Sequence, residues 1–437
     1  MRAPRRDGKR PRPVCELSTA LLSTASMNLT RKRWRLLGVA CLVSLFAGTI
    51  YAWSVFSPVL AARLTAVTGT TVTPADLGMV FGLANGIAPL PMIFGGAVND
   101  RFGPRVVVAT GGILMGVGIA SAGFVESVGA LLLSYGLLFG IGLGLAYGTI
   151  ISNTLKFFPD RRGLAGGLTT AFYGISSVVV PPVAMRLIES FGVTNAMLMA
   201  GATVGVVIVA GALASVRCPP DFVPEGMHRE NAGGASSEVR HLTWREMLVD
   251  PRFVPMMVLL TCGATAGMTV ISQTYSIAAV RIELGAAAAS VAVSLAALAN
   301  TAGRLCAGTA SDYLGRPKTL ALGLLLASAG LACLAMAAPG SEALFYAGLA
   351  AVGFSFGCFM GVYPGFTVQA FGSRHNSVNY GIMFAGFSVA GLLGPALVRA
   401  VEAGGLEHAY AYVAAGLVTA LGFAALGFYG RAAKRVE

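Results

Sequence analysis

The sequence predicts an all-α membrane protein in which twelve transmembrane helices form two pseudo-symmetric bundles of six. Of its 437 residues, 55% are hydrophobic and 11% are charged, and the mean hydropathy is +0.73, whereas soluble domains contain about 25% charged residues. A helix needs about 20 apolar residues to cross a bilayer. Twelve windows of this kind, spans 1 to 12, are separated by short polar breaks and lie near residues 35–58, 77–98, 105–124, 129–154, 163–187, 194–216, 252–276, 287–310, 319–338, 343–368, 378–399 and 408–430.

The formal net charge of +12 follows the predicted topology. Lysines and arginines concentrate on alternate links between spans, and the remaining links hold only Arg63, Arg186, Arg281 and Arg399. This positive-inside bias predicts a multi-pass protein of the inner (plasma) membrane with both termini and the central loop in the cytoplasm. Since topology accounts for the basic charge, we expect the lipid bilayer as a partner and no nucleic acid.

The longest polar interruption follows six spans and divides the membrane part in two. The predicted organisation is an N-terminal cytoplasmic tail (1–33), a six-helix bundle (34–216), a central cytoplasmic loop (217–251), a second six-helix bundle (252–430) and a cytoplasmic tail (431–437). We expect the first tail to be disordered. Met27 begins MNLTRKRW, a plausible second start, so residues 1–26 are not assigned to the mature protein.

An internal repeat relates the two bundles. The link after span 2 reads GGAVNDRFGPR (95–105) and the link after span 8 reads AGTASDYLGRPK (307–318). Aligning Asp100 with Asp312, a shift of 212 residues, also aligns the glycines of the two links. The same shift places FYGISS of span 5 near FAGFSV of span 11. Parallel repeats of six spans predict a substrate path between the halves, near the middle of the membrane.

The repeated pattern G-x-x-x-D-(R)-x-G-(R/K) resembles the loop signature of the major facilitator superfamily. The resemblance covers residues 30–435 and implies two halves that rock about a central site. An aspartate at a helix end and an arginine across a tight turn can form a charge-assisted latch between helices. The alternative is that these charges only set the topology. The candidate gating residues are Asp100, Arg101, Arg105, Asp312 and Arg316.

Arg304 is the candidate site residue that stands out on physical grounds. It ends an uncharged run, Gly285 to Gly303, and precedes Asp312 by eight residues, about 12 Å along a helix. Burying an arginine in a membrane costs about 2.5–3.5 kcal/mol, and its planar fork can grip a carboxylate through two parallel hydrogen bonds. Asn300, one turn earlier, can hold the guanidinium with its amide oxygen. The alternatives are that Arg304 snorkels to the surface or pairs with a backbone carbonyl.

The acidic residues lie in loops or at helix ends. Many proton-driven carriers hold an aspartate or glutamate inside a span as a protonation switch, so we do not expect a dedicated carboxylate relay here. The seven cysteines contain no CxxC pair, and the four histidines lie in loops or at helix ends. The sequence therefore predicts no metal site, no cofactor and no catalytic group, and the chain is not expected to be an enzyme.

Four strings resemble the oxalate/formate antiporter family within that superfamily, and its bacterial relatives among the monocarboxylate transporters. They are GTIYAWSVFSPVL (48–60), LAYG (145–148), FYGISS (172–177) and NYGIMFAG (379–386). The resemblance implies a substrate-binding arginine at Arg304 and aromatic side chains around the substrate at Tyr51, Trp53, Tyr147 and Tyr173. Tyrosine hydroxyls can donate to carboxylate oxygens while the rings form a dry, narrow box. For each aromatic residue taken singly, packing is an equal alternative.

Two departures from the family pattern narrow the expected function. Some monocarboxylate transporters carry an aspartate where this chain has Asn300, which argues against simple proton symport through that residue. In the oxalate exchanger of the family, a lysine of span 11 supplies a second positive charge. Here residues 377–397 contain no lysine or arginine, and Phe387 and Ser388 lie at the matching depth. Ser388 is therefore a candidate binding residue, and a dicarboxylate would meet one cation.

The predicted function is secondary active transport of a small organic anion, by alternating access, in a protein expected to be a monomer. A monocarboxylate such as lactate, pyruvate or formate is favoured. An oxalate/formate-type dicarboxylate exchanger and a drug or metabolite exporter of the same fold are the alternatives. Proton symport and exchange against a counter-anion both stay open at this point.

Overall fold

The computed structural model describes residues 14–74, 76–219, 222–225, 241–271, 273–407 and 409–436, with side chains from residue 29 onward except those of residues 286 and 402. These residues form helices and short connections, without a strand among them. The predicted all-α class is confirmed.

Helices α1 to α8 make up the first half and α9 to α16 the second. The first half contains α1 (Val14–Ala47), a 3₁₀ turn (Gly48–Ala52), α2 (Trp53–Thr68), α3 (Gly78–Ile87), α4 (Pro89–Phe102), α5 (Pro104–Ala122), α6 (Val128–Leu131), a π-helix (Leu132–Phe139), α7 (Gly140–Phe157) and α8 (Arg162–Ala214). The second half contains α9 (Trp244–Val249), α10 (Phe253–Ile271), α11 (Thr274–Ser276), a π-helix (Ile277–Arg281), α12 (Ala286–Leu314), α13 (Arg316–Met336), α14 (Glu342–Phe371), α15 (Asn376–Ala403) and α16 (Ala409–Val436).

The described residues contain eleven helical segments that are long and apolar enough to cross a membrane. The longest, α8, has 53 residues, or about 80 Å of helix, whereas the apolar core of a bilayer is about 30 Å thick. Gly192 interrupts it with φ 76° and ψ 163°, a non-helical conformation that glycine adopts without steric cost. The parts of α8 before and after Gly192 are spans 5 and 6, which completes the predicted twelve.

The predicted tails and central loop lie partly outside the described residues. Residues 1–13 of the first tail are not among them, and α1 begins at Val14, inside the segment expected to be disordered. Residues 220–221 and 226–240 of the central loop are likewise outside. The end of that loop folds as α9 and attaches to the second half, because the N–H of Leu242 donates to the carbonyl of Phe371 at 3.0 Å.

The two copies of the loop signature adopt the same backbone turn. Gly103 ends α4 with φ 90° and Gly315 ends α12 with φ 83°, values that a side chain would strain. The two turns end spans 2 and 8, and successive spans alternate in direction, so both turns lie at the same end of the bundle, which we call the loop face. The other end is the opposite face.

Span 8, helix α12, packs backbone to backbone on its neighbours. A Cβ atom added at Gly167 of span 5 would lie 2.6 Å from the carbonyl oxygen of Arg304, so only glycine permits this approach. On the other side, α14 presents glycines at every fourth position. Three glycines of α14, Gly353, Gly357 and Gly361, lie in this order against the backbones of Ala296, Asn300 and Arg304. The backbone that carries Arg304 is thereby clamped between spans 5 and 10.

Replacing Gly357 with leucine tests this packing. An added Cβ would meet the carbonyl of Asn300 and lie 2.9 Å from the amide nitrogen of Arg304, and overpacking of this kind costs about 1–3 kcal/mol. We expect Gly357→Leu to melt several degrees below the wild type in a thermal unfolding assay in detergent. Gly427→Leu on α16, where an added Cβ meets no atom within 4 Å, should melt as the wild type does. Identical melting of all three proteins would contradict the close packing.

Candidate functional site

Arg304 is buried where spans 5 and 8 meet. Its side chain is 2% exposed, so it does not snorkel to a surface. Its Nε donates to Oδ1 of Asn300 at 3.0 Å, and its Nη1 donates to the carbonyl oxygen of Thr170 at 3.1 Å. The first bond is the one expected from the spacing of the two residues. The second shows that Arg304 does pair with a backbone carbonyl, which was one of the alternatives. That carbonyl, of Thr170, belongs to the other half of the molecule.

Both acceptors are neutral, so the charge of Arg304 is not cancelled by the protein. Within the described ranges, no carboxylate lies within ion-pair distance of its guanidinium. The Nε and Nη1 groups of Arg304 donate to these two acceptors, and the hydroxyl groups of Tyr51 and Tyr147, which are also neutral, hydrogen-bond its guanidinium. The site therefore combines a net positive charge with partners that are all neutral, an arrangement suited to an anion.

Three tyrosines surround this guanidinium. The Cζ of Arg304 lies 5.9 Å from the ring centre of Tyr173, within cation–π range. The Tyr173 ring lies 4.5 Å from Tyr147 and 5.5 Å from Tyr51. The hydroxyl groups of Tyr51 and Tyr147 also face the guanidinium. These three predicted residues are thus brought together with Arg304 and Asn300.

A glycine contact explains how Tyr51 reaches the site. Tyr51 lies on the 3₁₀ turn of span 1, three residues after Gly48. A Cβ atom added at Gly48 would lie 2.6 Å from the carbonyl of Tyr173. Because glycine omits that atom, span 1 can rest on span 5, and the two tyrosines meet edge to face.

The second half contributes an apolar wall. Phe384 of α15 lies 6.2 Å from Tyr147 and 4.7 Å from Phe387, measured between ring centres. Phe387 in turn lies 6.2 Å from Phe356 of α14. Ser388 follows on the same helix, and its buried Oγ makes no hydrogen bond to the described residues. Span 11 therefore presents aromatic rings to Tyr147.

Trp53 is not brought to the guanidinium. Its ring lies 4.6 Å from Tyr135, which stacks on Phe139 at 4.7 Å. These side chains belong to the buried core of the first half. Trp53 therefore packs in the core, although it is only two residues from Tyr51.

Asp312 joins the two halves at the loop face. Its carboxylate accepts from the backbone N–H groups of Gly163 at 2.7 Å and Leu164 at 2.9 Å. These groups open the first turn of span 5, where the helix dipole favours a negative charge. Nη2 of Arg316 adds a longer contact of 3.4 Å, so the predicted Asp312–Arg316 pair is present.

Asp100 makes the related contact to span 11, but its predicted arginine partners are wrong. Its Oδ1 lies 2.7 Å from Nζ of Lys156 and accepts from Oγ of Ser377 at 2.8 Å. Arg105 instead donates to the carbonyl of Ser215 at 2.8 Å, and the guanidinium of Arg101 lies over Phe102. Lys156 forms the ion pair because it ends α7 beside Asp100, whereas Arg101 and Arg105 flank the turn and contact other groups.

Sequence reasoning did not select three polar or basic residues that complete these contacts, namely Thr170, Lys156 and Ser377. Thr170 acts through its carbonyl, which carries no sequence signal. Ser377 lies at the start of span 11, and Nδ2 of Asn99 also donates to its Oγ at 2.7 Å. The internal repeat could have indicated it, since the start of span 11 corresponds to the start of span 5.

Comparison with known proteins decides the family. The model of the major facilitator superfamily matches residues 42–395. The chain belongs to this superfamily. The MFS-type transporter YhjX of Escherichia coli is 28% identical over 84% of this chain and 87% of its own length. The oxalate:formate antiporter of Oxalobacter formigenes is 27% identical over 86% of each chain.

Two further matches agree with the superfamily assignment. Rat monocarboxylate transporter 13 is 37% identical, but over 27% of this chain and 28% of its own. The solved structure of the proton:xylose symporter XylE superposes with a TM-score of 0.69, covering 90% of this chain and 94% of that one at 17% identity. This structural likeness concerns the fold. The protein is a multi-pass membrane transporter with the major facilitator fold, and such transporters are not enzymes.

Replacing Asp312 with asparagine tests the loop-face contact. Losing the negative charge weakens two charge-assisted hydrogen bonds, each worth about 1.5–3 kcal/mol, so we expect the halves to separate there more often. Ser311→Cys, at a side chain that is 1% exposed, reports this opening in a background without the native cysteines. Its labelling by a membrane-impermeant maleimide should become about tenfold faster in Asp312→Asn.

Asp160→Asn is the matched control for that measurement. Asp160 pairs with Arg33 at 2.6 Å, and both residues belong to the first half, so its loss should leave the labelling rate unchanged. A rate that rises equally in both variants, or in neither, would contradict a role for Asp312 between the halves.

Proposed function

We propose that this transporter carries a small monocarboxylate by alternating access and that Arg304 binds the carboxylate. The observation that supports this most strongly is a buried guanidinium held by two neutral acceptors between the halves. At about 4 Å and an effective dielectric constant near 20, a carboxylate would gain about 4 kcal/mol. This is enough to offset the roughly 2.5–3.5 kcal/mol that burying the arginine costs.

The two walls of the site favour a substrate that carries a single negative charge. The tyrosines provide hydroxyl donors on the side of the first half, and the guanidinium of Arg304 provides the positive charge. A second carboxylate would face the rings of Phe384 and Phe387 and lose its hydration without a partner. An alkyl group of the size found in lactate or pyruvate suits that wall. The names of two relatives, an oxalate:formate antiporter and a monocarboxylate transporter, support a carboxylate cargo.

Alternating access would use the contacts between spans 5 and 8. With the loop face closed, Arg304 bonds to the carbonyl of Thr170 across the two halves. Rocking must break this bond, and a bound carboxylate would give the guanidinium an acceptor that moves with it. An empty site would have to expose an unpaired buried charge during the same motion. Exchange of one anion for another is therefore favoured over return of the empty carrier.

The basic links support the proposal that both termini and the loop face are cytoplasmic and that the protein resides in the inner membrane. We take the moving units to be residues 34–216 and 252–430, and the transport unit to be the monomer. Asp100 and Asp312 act as the gate at the cytoplasmic end.

Arg304→Gln tests the binding residue. Glutamine keeps a polar side chain but loses the charge, and hydrogen bonds to charged groups are worth about 1.5–3 kcal/mol. We expect exchange of labelled lactate into proteoliposomes to need at least tenfold more substrate, or to be lost. Arg186→Gln, which removes an exposed arginine of span 5, is the control and should exchange normally. Unchanged exchange by Arg304→Gln would show that Arg304 does not bind the substrate.

The proposed exchange mechanism has its own test. Lactate inside the vesicles should accelerate uptake of labelled lactate at least tenfold over empty vesicles. An imposed pH gradient should have little effect, since no Asp, Glu or His side chain of the described residues pairs with Arg304. Uptake driven by the pH gradient into empty vesicles would instead establish proton symport.

Adding a second cation to the site should shift its selectivity from lactate towards oxalate. Ser388→Lys would place an ammonium group beside the aromatic wall, and a close charge pair of this kind gives at least tenfold in affinity. We expect oxalate to compete with labelled lactate at least tenfold better in Ser388→Lys than in Ser388→Met, a neutral variant of similar length. If the wild type already prefers oxalate, the protein is a dicarboxylate exchanger and the argument for a substrate with one carboxylate fails.

A further inference from the structure

A groove on the membrane-facing side of the second half lies apart from the central site. It runs between α10 and α16 and has a volume of about 580 Å³. Large apolar side chains line it and are nonetheless exposed, among them Val254 at 61%, Leu421 at 61% and Phe428 at 58%. Walls of this kind suit a hydrocarbon chain.

Two arginines close one end of the groove. Arg431 and Arg435 are one turn apart on α16 and lie on the same face. Within the described part of the chain, neither makes an ion pair or donates a side-chain hydrogen bond. Across the groove, Arg252 next to Pro251 is neutralised by Asp250, with Nη2 and Oδ2 2.8 Å apart. The basic end therefore holds two uncompensated charges, both on α16.

The length of the groove matches one leaflet. Leu421 precedes Arg431 by ten residues, about 15 Å of helix, which is half of a hydrocarbon core about 30 Å thick. A headgroup at Arg431 would lie at the loop-face surface of the membrane, and its acyl chain would reach Leu421 near the bilayer centre.

We propose that this groove is a binding site for one anionic phospholipid. The phosphate is held by the guanidinium forks of Arg431 and Arg435, which match phosphate geometry better than lysine does. One acyl chain lies between α10 and α16. The groove lining contains no acidic side chain, so a zwitterionic headgroup finds no partner for its ammonium group. A soluble phosphate would leave the apolar walls exposed.

Native mass spectrometry of the full chain, stripped of lipid in detergent and titrated with phosphatidylglycerol, tests the site. Each cation near an anionic lipid surface is worth about 1 kcal/mol, so affinity should fall about fivefold in Arg435→Gln and about 30-fold when Arg431→Gln is added. Lys434→Gln removes the same charge from a residue outside the lining and should bind within about twofold of the wild type. Ala424→Trp fills the apolar part of the groove, keeps both arginines and should also abolish tight binding.

Four outcomes would overturn the proposal. An equal loss in Lys434→Gln and Arg435→Gln would mean general electrostatic attraction without a built site. Equal retention of phosphatidylcholine would remove the role of the arginines. Displacement of the lipid by inorganic phosphate at similar concentration, or normal binding by Ala424→Trp, would identify a soluble-anion site instead. Retained folding of each variant is checked by its size-exclusion profile, and none of these residues touches Arg304.

Discussion

A positive charge buried between the two halves of the molecule is the constraint on which the structure depends. Arg304 is 2% exposed and is held by the amide oxygen of Asn300 and the carbonyl of Thr170. Either bond satisfies a donor, but neither cancels the charge. Within the described residues no carboxylate supplies its counter-charge, and under the proposed function the transported anion does so.

Glycine packing fixes the position of this charge. Span 8 lies so close to spans 5 and 10 that nothing larger than the hydrogen of glycine fits between the backbones. The same helix carries Asp312 at its loop-face end, about 12 Å from Arg304, and Asp312 caps the start of span 5. The contact of Arg304 with Thr170 and the contact of Asp312 with Gly163 and Leu164 therefore join the same pair of helices. Motion of span 8 relative to span 5 necessarily changes both.

Much of this could be predicted from the sequence because it rests on periodic or repeated signals. Hydropathy predicted twelve spans, and the break between spans 5 and 6 at Gly192 fits the predicted windows. The repeat located Asp100 and Asp312, and helical spacing paired Asn300 with Arg304. The failures concern groups whose partners come from elsewhere in the chain. Asp100 meets Lys156 instead of a nearby arginine, Trp53 turns into the core, and the carbonyl of Thr170 has no side-chain signature.

The central claim is direct contact between a carboxylate and the guanidinium of Arg304, and solid-state NMR can measure it. Lactate labelled with ¹³C at its carboxyl group would be bound to protein labelled with ¹⁵N in arginine, reconstituted in lipid. The account predicts carbon–nitrogen dipolar coupling that corresponds to about 4 Å and that disappears in Arg304→Lys. A bound carboxylate without such coupling, or coupling that survives in Arg304→Lys, would place the anion on another residue and contradict the account.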